Sequence, residues 1–352
     1  MGRMTSFEKD PTPATWDMLF GMAKTQSLIG VLYDATLQLP ERQRPPKEIQ
    51  ERWKELAEKV SDIHSIHLQH MGELSGIMEK LGLHGCILKG TGLSELYPRP
   101  GSRMCGDIDL WVEGRRDRII DAFEEAGYPV HSVIYQEAKV EIFEDTLVEL
   151  HFHASKMYNP FCNARLQRWL KKNAPFSSNF SGAGSVMLSK AKHLPYPSAL
   201  FNAVFCMAHM YRHYLEGGIG MRQMMDYYYV LRQLGPTERT EAMKALKHLG
   251  MKKFTAAVMT SMWFNFGLEE EYFLCPKDIE LGGRLVNDAF VMGNFGILDK
   301  RTYSQDGETR LARFMRKNRR VFSNLLYYPR EVLWSPFARV SQFVWRKFKG
   351  YA

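Results

Sequence analysis

Cysteine is scarce in this 352-residue chain, with only Cys86, Cys105, Cys162, Cys206 and Cys275. The number is odd, the spacing is wide and no Cys-x-x-Cys pair occurs. This excludes a disulfide framework and a cysteine-built zinc site, and predicts reduced thiols in a cytoplasmic protein. Long apolar runs are missing too: nothing approaches the ~20 residues that a membrane-spanning helix needs. The opening MGRMTSFEKDPTPATW holds no apolar stretch of the signal-peptide kind. Acid is the third absence, and it is local. From Thr309 to Ala352 eleven Lys or Arg meet a single acid, Glu331. The formal charge of +8 therefore belongs to this tail; the other 36 bases meet 38 acids, a net charge of −2. A body that is faintly acidic argues against a large nucleic-acid groove in the core.

What is present reads as packed and globular, with 45% hydrophobic and 24% charged residues. Residues 14–40 and 46–82 read as helices. In the second, Ile49, Trp53, Leu56, Val60, Ile63, Ile66, Met71, Leu74, Ile77 and Leu81 recur at helical spacing. GCILKG (85–90) is a short apolar run between glycines, the mark of a buried strand. TGLSELYP (91–98) reads as a helix, DIDLWVE (107–113) as a strand and RRDRIIDAFEEAGY (115–128) as an amphipathic helix. KVEIFED (139–145) and TLVELHFH (146–153) read as two strands with a tight turn at Glu144–Asp145. Residues 155–196 read as irregular, loosest at SSNFSGAGS, and from Pro197 onward the pattern is helical. The class is α+β: a small mixed sheet with helices before it and a helical half after it. The division expected is an N-terminal helical segment (1–83), an α/β core (84–154), a connector (155–196) and a helical domain (197–352).

Chemistry concentrates in RMCGDIDLWVEG (103–114). Residues i and i+2 of a strand share a face, so Asp107 and Asp109 project side by side. Two such carboxylates stay ionised only if water reaches both or a cation lies between them. Magnesium suits ligands that are all oxygen and leaves room for phosphate. Glu149, on a later strand, is the best third carboxylate, ahead of Glu141 and Asp145. Upstream, LKGTGL (88–93) turns from strand to helix, where exposed backbone N–H groups at Gly90 and Thr91 favour a phosphate. Lys89 adds charge there, and Arg103 adds a potential bidentate contact.

These residues resemble the polymerase-β-like nucleotidyltransferase superfamily. The closer resemblance is to an uncharacterised bacterial branch of it, on Lys89, Gly90, Arg103, Asp107, Asp109, Glu149 and His151, then His209, Arg222 and Asp226, over roughly residues 80–235. The first turn carries Gly90-Thr91 where the superfamily has Gly-Ser or Gly-Gly. The resemblance implies an NTP, ATP first, as donor, and two magnesium ions held by Asp107, Asp109 and Glu149. It implies transfer of a nucleoside monophosphate to a hydroxyl acceptor that it does not identify. Arg222 would contact the nucleotide or acceptor, although its i, i+4 spacing to Asp226 also predicts an ordinary helical ion pair.

Two rival readings stand beside this one. The first is a nucleotide-binding regulatory or antitoxin-like protein without turnover. The second is a metal hydrolase built on Glu149, His151, His153, His209 and His213, although HExxH is absent. The triple tyrosine of DYYYVL is expected in the core. In the tail, Trp334, Phe337, Val340, Phe343, Val344 and Phe348 have near-helical spacing. The favoured expectation buries this face against the helices of 197–300; the alternative is contact with an anionic surface or RNA.

Overall fold

A computed structural model describes residues 6–176, 194–299 and 309–351. Three helices come first: α1 (Pro13–Thr25), α2 (Ile29–Leu37) and α3 (Lys47–Lys80). The core follows as β1 (Gly85–Leu88), α4 (Gly90–Ser94), β2 (Ile108–Val112), α5 (Arg116–Glu125), β3 (Val130–His131), β4 (Glu137–Val140) and β5 (Val148–His151). Helices complete the chain: α6 (Pro160–Lys172), α7 (Ala199–Glu216), α8 (Met221–Gln233), α9 (Pro236–His248), α10 (Lys252–Phe266) and α11 (Ile279–Met292), then α12 (Arg310–Phe322), α13 (Pro329–Val332) and α14 (Ser335–Phe348). The α+β class expected from the sequence is the class observed. No helix among the described residues is long and apolar enough to cross a membrane.

Three local expectations change. The helix expected over 14–40 is two helices, because α1 ends in a Schellman motif. Ser27 takes the left-handed conformation at φ 55, Ser27 N–H donates to Lys24 O and Leu28 N–H to Ala23 O. That turn usually recruits glycine, so a serine there left no signal. The segment 155–196 is not wholly irregular: Asn159 accepts from the N–H groups of Phe161 and Cys162 and caps α6, whose first residue is Pro160. Its loosest stretch, SSNFSGAGS, lies outside the described residues. Along α3 the buried stripe runs through His64 and His67, while Ile63 and Ile66 are turned outward.

The sheet order is β1-β2-β5-β4-β3. All neighbours are antiparallel except β2 and β5, which run parallel, with Asp109 opposite Glu149 and Trp111 opposite His151. Alternation along the strands gives the two faces different work. Ile87, Ile108, Leu110, Val112, Val148 and Leu150 pack with Met71, Leu74 and Met78 of α3 and with Ile119, Ile120 and Phe123 of α5. On the other face Cys86, Leu88 and Trp111 join the large core of the helical half, around Phe201 and Phe205 of α7. Asp109, Glu149 and His151 lie on this second face. The tyrosines of DYYYVL are buried in the same core, as expected.

Glu331, the lone acid of the tail, is buried and accepts hydrogen bonds from the backbone N–H groups of Tyr158 (2.6 Å) and Asn159 (3.3 Å). Burial pushes its carboxyl up to about 7. It ties α13 to the turn that starts α6. Replacing it with alanine strands two buried donors and is expected to cost roughly 1–3 kcal/mol in urea unfolding; a change under a few tenths would show those donors to be otherwise satisfied.

The tail packs only in part as expected. Val321, Tyr328 and Val332 are buried in the core of the helical half and Ala338 packs against it, but α14 leans through Trp345 on the sheet side of the molecule. Trp345 meets Tyr135 (5.9 Å between rings) and the Arg116 guanidinium (4.4 Å), and Lys349 Nζ lies 3.3 Å from Asp117. Trp334, Phe337 and Phe343 remain exposed.

Candidate active site

A cavity of about 560 Å³ opens between the polar face of the sheet and the helical half. Its sheet side carries Asp107, Asp109, Glu149, His151 and Glu137; its helical side carries His209, Arg212, His213 and Arg222. The sheet side exists because β2 and β5 are parallel and in register, which sets Asp109 beside Glu149. Glu137 of β4 stands opposite His151 in the neighbouring antiparallel pair.

Asp109 is the centre of the cluster. Its Oδ1 lies 2.9 Å from Lys89 Nζ and 2.8 Å from His151 Nε2, and it is almost fully buried. Burial by itself would raise the carboxyl, but Lys89 and then His151 overturn that and hold it well below the usual carboxylate range. Burial also works against the Lys89 ammonium, and the Asp109 and Asp107 charges outweigh it, so its pKa is raised. Lys89 is reached through a strained turn: Lys89 has φ 48 and Gly90 φ 45. A lysine in the left-handed region costs on the order of 1 kcal/mol or more, a cost that persists where the surroundings fix the residue.

The other carboxylates are crowded. Asp107 is raised by the neighbouring Asp109 charge and then by burial. Glu149 is pushed up to about 7, first by burial and then by Glu137, Asp107 and Asp109. Ligand atoms of Asp109, Glu149 and His151 lie within 4.8 Å of one another. Among the described residues no other group of His, Cys, Asp and Glu meets that condition. His151 enters this group where the sequence reading named Asp107; the i, i+2 alternation of Glu149 and His151 was the available signal.

Not every residue named from the sequence reaches the cavity in the expected role. Arg103 donates from Nε and Nη2 to the two oxygens of Asp226 at 2.7 and 2.8 Å, fully buried, with Tyr97 Oη donating to the same carboxylate at 2.7 Å. Its guanidinium fork is thus committed to α8 and not free for a phosphate. The expected pairing of Arg222 with Asp226 is replaced by this one; Arg222 donates instead to Met104 O at 2.8 Å and lines the cavity. Thr91 turns inward and its hydroxyl donates to Met71 Sδ at 2.9 Å. Gly92 is needed for packing: a Cβ there would stand 2.5 Å from the Tyr196 ring.

The histidines divide likewise. His209 Nε2 lies 3.5 Å from Lys89 Nζ, and its ring meets that of His213 at 4.3 Å. Burial, followed by Lys89 for His209 and by Arg212 for His213, lowers both, His213 to about 3. They stand as neutral rings in the cavity wall. His153 stacks on Tyr135 at 5.0 Å. The set of five ligands imagined for a hydrolase is therefore not assembled: Glu149 and His151 meet on the sheet, and His209 and His213 meet separately on the helical wall.

The mixed sheet thus carries Asp109 on β2, Asp107 just before that strand and Glu149 on the parallel neighbour, with a helical wall opposite. The chain belongs to a family described as uncharacterised nucleotidyltransferases, whose model matches residues 12–264. That span exceeds the 80–235 on which the sequence resemblance rested and takes in the N-terminal helices. An antigenic nucleotidyltransferase-like protein from Paracoccidioides brasiliensis is similar at 13% identity, covering 64% of this chain and 97% of that one with a TM-score of 0.36; so distant a likeness carries no argument. No curated protein matches the chain. Family membership supports a role in nucleotidyl transfer.

Proposed function

We propose that this protein transfers a nucleoside monophosphate from an NTP, ATP in the first instance, to a hydroxyl acceptor. The observation that carries the reading is the parallel register of β2 and β5, which brings Asp109 against Glu149 with Asp107 lining the same cavity. The donor set fits divalent magnesium: the carboxylates are crowded, Asp107 being raised by the Asp109 charge and then by burial, and Glu149 by burial and then by its acidic neighbours, and a cation between them would relieve this. Asp107, Asp109 and Glu149 would hold the ions. When bound, these would screen the triphosphate and stabilise charge developing during in-line displacement.

The residues of the chain supply the rest. Lys89 would move from Asp109 to a phosphate oxygen, and Arg222 would face the same anion from the helical wall. The backbone at Gly90 lines the cavity within reach of it. His151 holds Asp109 in orientation. Glu149 would take the proton of the acceptor hydroxyl. Residues 84–154 would form the catalytic core and the helical half would select the acceptor. The test is incubation with magnesium and each α-labelled NTP in turn, against sugars, hydroxylated antibiotics, protein hydroxyls and RNA. Pyrophosphate release with label on an acceptor is expected. Nucleotide binding without release across the whole panel would replace catalysis by a regulatory role.

A pH dependence follows. Glu149 has an ordinary value of 4.5 and a folded value of about 7. The stability it contributes to the metal-free protein is fully present below 4.5 and is lost as pH rises through 7. Metal binding needs the ionised form, so magnesium affinity is expected to rise with pH up to about 7 and then level off. Calorimetric titration of the parent and of Glu149→Gln checks this; the same slope in both would remove Glu149 from the site.

A further inference from the structure

Helix α14 presents an apolar face to solvent. Phe337, Val340, Val344 and Phe348 succeed one another at helical spacing and are 67%, 51%, 43% and 87% exposed. Phe343 borders them, also exposed. The opposite face of the helix is anchored. Trp345 lies against Arg116 and Tyr135, Gln342 Oε1 accepts from Lys156 Nζ at 3.3 Å, and Arg339 Nη2 donates to Tyr158 Oη at 3.1 Å. These contacts fix the rotation of α14, so the apolar row is held outward.

Charge decides the occupant. α14 contains no acid, and the one acid of residues 309–352, Glu331, is buried on backbone N–H groups. Lys347 and Lys349 are exposed at the end of the row, Lys349 beside Asp117. The basic helix α12 packs next to α14. A second copy paired through α14 would set bases against bases, with no acid on either helix to answer them. RNA would leave a convex Phe–Val row in water, where single-strand binders use a basic groove with stacking platforms. A phospholipid surface answers both halves: apolar side chains enter the headgroup boundary and lysines meet phosphates. We propose that α14 docks this protein peripherally on anionic membrane, through Phe337, Val340, Val344 and Phe348 with Lys347. The inference does not depend on the proposed transfer reaction.

The test uses the full chain and flotation with vesicles of phosphatidylcholine alone or with one third phosphatidylglycerol. Binding to the anionic vesicles is expected to be at least about tenfold the stronger and to fall steeply with salt. Val340→Asp with Val344→Asp should abolish flotation without lowering the melting temperature, since both side chains are exposed. Lys347→Glu should weaken it roughly tenfold. Three outcomes would overturn the proposal: no flotation with anionic lipid; flotation unchanged in the double variant; or a parent that is dimeric, or that shifts RNA, and loses that property in the double variant while ignoring vesicles.

Discussion

Asp109→Asn is expected to lower nucleotidyl transfer roughly a thousandfold, the several kcal/mol that a positioned cation supplies to a phosphoryl transition state. Asn keeps the shape of the side chain but not the charge that Lys89 and His151 both face at 2.9 and 2.8 Å. The sequence alone predicts two acids open to solvent and hence a variant that folds normally. The structure changes the second half of that expectation, because Asp109 is almost fully buried. Asp109→Asn leaves a partly buried ammonium without its carboxylate, so the melting temperature should drop as well. Asp107→Asn separates the two effects: Asp107 is only partly buried and makes no ion pair among the described residues, so it should lose transfer with little loss of stability. Steady-state pyrophosphate release and thermal unfolding on both variants give the answer. Full activity in Asp109→Asn would remove the carboxylate-pair reading.

Asp226→Ala is expected to be the most destabilising single change outside the apolar core, by about 3–5 kcal/mol. It would strand Arg103, buried and held through Nε and Nη2, and deprive Tyr97 Oη of its acceptor. The cost lies in an unpaired buried charge more than in the strength of the bond. The double variant Arg103→Met with Asp226→Leu should therefore be more stable than either single variant. Urea unfolding around this cycle measures the coupling. If Asp226→Ala cost less than about 1 kcal/mol, water would have to reach Arg103 and the pair would not be the clamp between the 99–103 segment and α8 that its geometry describes.

How much of this was legible in the sequence follows from the range of each interaction. Strand alternation is local, so Asp107 could be set beside Asp109, and Glu149 beside His151, from their spacing alone; that the two pairs share one face needed the pairing of β2 with β5. Helix caps are local as well, yet two boundaries were hidden: Ser27 fills a turn usually given to glycine, and Asn159-Pro160 sat in a stretch dominated by its looser neighbours. Thr91 and Gly92 show the limit of motif reading, because a hydroxyl and a missing Cβ serve packing as readily as phosphate. Only the distant partners, Met71 and Tyr196, tell which.

The sequence by itself determined the α+β class, the acid-bearing strand and the concentration of positive charge in the tail, since these rest on spacing and composition along the chain, and its motif residues carried the resemblance to the family. Tertiary structure alone decided which arginine answers Asp226, that Lys89 and His151 share Asp109, and that α14 turns its aromatic row to solvent. Those are choices among partners tens to hundreds of residues apart. Several residues of the right charge compete for each, and the fold settles it by bringing one of them within hydrogen-bonding distance while burying it from water.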